Sequence, residues 1–176
     1  MSTANRRLLT RSDVGVLVAA LLVALLLVRQ WLSALVESGV SPNPPVGDEW
    51  CVLASLFLAP WTAGLIVIEL LPPRPRLRVL GRRPGFSGCF AALLALMMGF
   101  WDAMQDSFYG RSHFVPYPVV VAAAVSPYRA FLSVASVWAI LAMSGRWRPK
   151  PSWTDRTGRL LVTAWLMNAW VWAWFF

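Results

Sequence analysis

Five apolar runs divide this chain, near residues 14–36, 50–71, 86–109, 119–143 and 160–176. Each is close to or above the roughly 18 residues that carry a helix across a membrane. Few folds are open to such a chain. Inside lipid no water meets exposed N–H and C=O groups, so a spanning segment must close its backbone hydrogen bonds internally, as a helix does. The runs predict an all-α integral membrane protein, a bundle of about five transmembrane helices in a single polytopic domain over 1–176. With 58% hydrophobic and 14% charged residues, no stretch is polar enough to form a separate soluble domain.

The basic residues predict an orientation. Arg6, Arg7 and Arg11 precede the first run, and Arg74, Arg76, Arg78, Arg82 and Arg83 lie between the second and third. Arg146, Arg148, Lys150, Arg156 and Arg159 lie between the fourth and fifth. Thirteen of the sixteen Lys and Arg thus share one side. The opposite connections are the acidic, proline-rich segment Glu37–Glu49 and the short segment Gly110–Pro118, and they hold only Arg111. The positive-inside rule then puts the N-terminus in the cytoplasm and the C-terminus outside, in a multi-pass protein of the plasma membrane. The net charge of +8 is accounted for without nucleic acid, for which the chain offers no domain. Arginines beside a membrane also attract anionic lipid at ~1 kcal/mol each. Arg74, Arg76, Arg78, Arg82 and Arg83 are therefore candidate lipid contacts.

The first run follows a basic segment as the apolar region of a signal peptide does. No A-x-A site follows it, and the apolar pattern continues through Trp31, Leu32, Leu35 and Val36. It reads as a retained helix. Pro60 and Pro127 fall inside the second and fourth runs, where a missing donor kinks or breaks a helix. For the fourth run two readings stand: one helix kinked at Pro127, favoured here, or a helix starting at Pro127 with Ser126 as its cap. The aromatic density of Trp170, Trp172, Trp174, Phe175 and Phe176 marks a headgroup level.

The third run carries a small residue at every fourth position: Ser87, Ala91, Ala95, Gly99, Ala103 and Ser107. In lipid, such a stripe lets helix backbones approach closely. It predicts a helix-packing face and makes this helix the candidate centre of the bundle. Asp102 and Asp106 lie one turn apart beside the stripe. Arg29 in the first run and Arg129 in the fourth reach a similar depth. These four are candidate intramembrane ion pairs, because an unpaired charge at mid-membrane costs ~3 kcal/mol. The same residues would serve a proton relay or ligand site.

Catalytic and cofactor chemistry has little to stand on. The single histidine, His113, falls in a connection, whereas haem or pigment held between helices wants a histidine on a span. Cys51 and Cys89 fall near opposite membrane faces, too far apart for a disulfide or a shared metal. Gly85-Phe86-Ser87-Gly88 resembles the G-x-S-G of rhomboid proteases, which would make Ser87 a nucleophile. No span supplies the histidine, and His113 lies ~30 Å away at the other face, beyond the hydrogen-bond reach a dyad needs. Leu96 to His113 (LMMGFWDAMQDSFYGRSH) is similar over fewer than twenty residues to bacterial rod-shape-determining membrane proteins. That resemblance implies a small non-enzymatic scaffold and carries no residue roles.

The expectation is a non-catalytic accessory, scaffold or assembly subunit of a larger membrane complex, without cofactor or metal. Its partners would be membrane lipids and other membrane subunits, or further copies of itself. A transporter or channel component using Asp102 and Asp106 is the alternative. A lipid-acting membrane enzyme ranks below it, having too few acids or histidines at one depth.

Overall fold

The computed structural model describes residues 10–37, 47–72, 77–108, 118–147 and 152–175. It describes the side chains of these residues except at 34–35, 37, 47–49, 77–78, 103, 106–108, 118–126 and 175. They form α1 (Arg11–Glu37), α2 (Gly47–Leu70), a single turn α3 (Leu77–Leu80), α4 (Pro84–Phe108), α5 (Pro118–Met143) and α6 (Trp153–Phe175). No strand occurs among the described residues. α1, α2 and α4 are long and apolar enough to cross a membrane. α2 passes through Pro60 and α5 through Pro127 as single helices.

Helix starts follow from local chemistry. At α1, the Thr10 hydroxyl accepts the Asp13 amide at 3.3 Å, and the Asp13 carboxylate accepts the Thr10 amide at 3.0 Å. This reciprocal pair satisfies donors that the first turn leaves orphaned. α6 starts at Trp153, seven residues before the apolar run at 160. Ser152 accepts the Asp155 amide at 3.3 Å there, so a polar first turn extends the helix below its apolar part. Arg156 and Arg159, read from sequence as loop residues, are helical. α4 opens with Pro84, which suits a first helical position because its missing N–H would be orphaned anyway.

Contacts between the helices give their directions. Val16 and Ala20 of α1 meet Gly64 of α2, while Leu27, Val28 and Trp31 meet Val52 and Leu56, so α1 and α2 are antiparallel. α2 and α6 are antiparallel through Thr62 with Trp165 and Ser55 with Asn168. α4 and α5 are antiparallel through Pro84 with Trp138 and Asp102 with Arg129. α4 and α6 run parallel, with Gly85 on Gly158 and Gly88 on Val162. Direction therefore alternates along α1, α2, α4, α5 and α6. Arg11, Arg82, Arg83, Arg146, Arg156 and Arg159 all come to one end of the bundle.

α2, α4, α5 and α6 close on one core of Leu65, Ile66, Ala92, Val134, Val162 and Trp165. Trp165 is fully buried, its indole N–H donating to the Thr62 hydroxyl at 3.0 Å. α1 packs against α2 and leaves Leu22, Leu25 and Leu26 exposed. One face of α4 is exposed too, at Phe90, Leu94, Met97, Met98 and Trp101. α4 is one wall of a four-helix core rather than an enclosed axis. Within it Ala91, Ala95 and Gly99 are buried and Ser87 half-buried. The side chains of Ala103 and Ser107 lie outside the described residues.

Candidate functional site

The densest polar arrangement surrounds the start of α4. Arg83, the residue before Pro84, donates to Glu69 of α2 at 2.7 Å. The two side chains are 9% and 3% exposed. Gly85 donates its amide to Asp155 of α6 at 3.1 Å, so a carboxylate from another helix caps the positive end of α4. Trp138 of α5 donates its indole N–H to the Pro84 carbonyl at 3.0 Å. Three helices thus hold the first turn of a fourth. Arg159 lies 3.6 Å from the second oxygen of Asp155, one turn along α6. Trp147 stands edge-on to Trp138, ring centres 5.3 Å apart.

This arrangement requires glycine. A Cβ on Gly85 would lie 2.5 Å from the Asp155 carbonyl oxygen, and one on Gly158 would lie 2.9 Å from the Gly85 carbonyl carbon. Backbone rests on backbone here. Close approach to α6 occurs at Gly85 and Gly88, two positions before and one after Ser87, the first residue of the small stripe.

A second polar contact lies further along α6. The Asn168 amide donates to the Cys51 carbonyl at 3.1 Å and the Ser55 hydroxyl at 3.0 Å. Ser55 in turn donates to Cys51 O at 2.9 Å. Cys89 meets α6 at Gly158 and Cys51 meets it at Asn168. Ten residues of helix separate those points, about 15 Å. Both cysteines are buried.

At the opposite end of α4, Arg129 of α5 donates to the Asp102 carboxylate. The two side chains are 37% and 52% exposed. Arg29 is exposed on α1 and pairs with no described acid. The side chain of Asp106 lies outside the described residues, as does His113.

The arginine-rich connection divides. Arg83 turns inward to Glu69, whereas Arg82 is exposed. Arg74 and Arg76 and the side chain of Arg78 are outside the described residues. Ser87, the serine of the G-x-S-G resemblance, donates to the carbonyl of Arg83, four residues back and just before α4, at 2.7 Å. That is the ordinary place of a helical serine. Among the described residues no group of three His, Cys, Asp or Glu could hold a metal.

An open apolar groove of about 530 Å³ runs between α1, α2 and α4, lined by Leu27, Leu56, Pro60, Leu93, Met97 and Trp101. Glu69, Asp155, Trp165 and Asn168, which organise the interior, had no role in the sequence reading. Their signal was the rarity of polar residues in apolar context. No known family model, curated protein or solved structure matches the chain.

Proposed function

We propose that this chain is a small non-catalytic subunit of a larger complex in the plasma membrane. It spans the membrane five times, with its N-terminus in the cytoplasm and its C-terminus outside. What supports the subunit reading is how the bundle uses its polar groups. Arg83–Glu69, Gly85–Asp155, Trp165–Thr62 and Asn168–Ser55 all join helix to helix. The apolar groove between α1 and α4 meanwhile stays open. Interior polarity serves assembly, and the outward surface is a set of ridges and a groove suited to a neighbouring helix. The transport alternative loses part of its motive in Asp102, whose carboxylate is engaged by Arg129.

The orientation rests on arginines gathered at one end of the bundle and on alternating helix direction, read with the positive-inside rule. Five spans rest on helix length: 26 and 23 residues in α5 and α6 give about 39 and 35 Å, enough to cross.

Replacing Met97, which lines the groove, by a photo-crosslinking residue tests the subunit reading in native membranes. The expected product is a discrete protein adduct of one mass, either a different subunit or a second copy. Labelling of lipid alone would contradict it.

A further inference from the structure

A cavity of about 570 Å³ lies at the arginine-rich end of the bundle, between the turn that follows α3 and the last turns of α5. Arg82 and Arg146 line it from opposite elements, over an apolar wall that includes Val137 and Ile140. We propose that this cavity binds one anionic phospholipid. The headgroup phosphate sits between Arg82 and Arg146, and an acyl chain lies along Val137 and Ile140.

Four observations carry this. Both arginines are exposed, and neither forms an ion pair among the described residues. Among the described residues, no acid neutralises either of the two guanidinium groups that line the cavity.

Each is held in place by its backbone. The Gly145 amide bonds to Ala142 O at 3.2 Å and the Arg146 amide to Leu141 O at 3.1 Å. Gly145 takes a φ of +63°, which closes a Schellman turn and brings Arg146 back over the end of α5. Arg82 is fixed by its amide on Val79 O at 3.3 Å.

The two adjacent arginines have opposite assignments. Arg83 is neutralised by Glu69, so the positive charge left at this turn belongs to Arg82.

Finally, the cavity lining combines two guanidinium groups with the aliphatic Val137, Ile140 and Leu141, and Trp147, the neighbour of Arg146, packs on Trp138. Aromatic rings of this kind mark the headgroup region, and a phospholipid likewise joins a charged group to an aliphatic chain. Planar guanidinium groups suit the phosphate oxygens.

The site is independent of the subunit reading, since it needs only a chain that crosses a bilayer. Native mass spectrometry of the whole chain tests it, using mixed micelles with equal phosphatidylglycerol and phosphatidylcholine. The wild type should retain one phosphatidylglycerol per chain in preference to phosphatidylcholine. Arg82→Gln and Arg146→Gln should each weaken phosphatidylglycerol retention about fivefold, and the double variant about twenty- to thirtyfold. Residual phosphatidylcholine binding should stay unchanged, which monitors the fold. Arg11→Gln with Arg156→Gln removes the same charge at the same end away from the cavity, and it should leave retention intact. Equal loss in that control would show a diffuse field and overturn the site. So would absence of preference in the wild type, or release of the lipid by millimolar inorganic phosphate, which would mark a soluble-anion site.

Discussion

Arg83 and Glu69 form a buried ion pair at 2.7 Å that joins the start of α4 to the end of α2. Their side chains are almost inaccessible, so each charge relies on the other for solvation. Removing one member of such a pair costs about 3–5 kcal/mol, while replacing both with apolar residues is often neutral. Glu69→Gln should therefore lower thermal stability in detergent sharply. Glu69→Leu combined with Arg83→Leu should recover most of the loss. Equal melting of Glu69→Gln and wild type would remove the pair from the account.

The contact of Gly85 with α6 leads to a steric prediction. Gly158→Ala places a methyl group 2.9 Å from the Gly85 carbonyl carbon, and backbone there cannot rotate away as a side chain can. A cost of about 1–3 kcal/mol is expected. Gly15→Ala on α1 meets nothing within 4 Å and should be neutral or stabilising. The difference between these two variants in a thermal melt is the measurement. Its absence would mean that α4 and α6 do not pack as described.

Asp102 and Arg129 should behave differently from Arg83 and Glu69, although both are acid–arginine pairs between helices. Asp102 and Arg129 are half exposed, and an exposed pair contributes about 1 kcal/mol or less. Asp102→Asn should leave the fold intact, with weak coupling to Arg129→Gln in a double-mutant cycle on stability. A loss as large as that of Glu69→Gln would show that Asp102 is held in a far less polar setting than its exposure implies.

Orientation has its own test. A reporter active only outside the cytoplasm should be active when fused after Phe176 and silent when inserted at Gly145, between α5 and α6. The reverse pattern would invert the bundle and place the arginine-rich end outside.

Much of the fold was legible before the structure. Helix number and rough extent follow from the apolar runs, because a helix that crosses lipid needs about 18 or more predominantly apolar residues in a row. The start of α6 was missed, since its first turn is polar and hydropathy is blind to a helix that begins below the apolar layer. Ser152 followed three residues later by Asp155 was the available signal. Ala91, Ala95 and Gly99 of the small stripe are buried, and the glycine contacts with α6 at Gly85 and Gly88 lie beside that row, because a four-residue period drifts against 3.6 residues per turn. The split between Arg82 and Arg83 was not legible at all. Two neighbouring arginines look alike in sequence, and only the position of Glu69 on another helix separates them.

The most direct test of the subunit reading is the state in which the protein leaves its own membrane. Extracted in mild detergent and purified through a tag, the 19.6 kDa chain should emerge as part of a larger species. Its mass should be defined and its stoichiometry constant, whether the companion is another membrane protein or further copies of itself. A chain that is monomeric, stable and free of any fixed protein companion across several mild detergents would contradict the account.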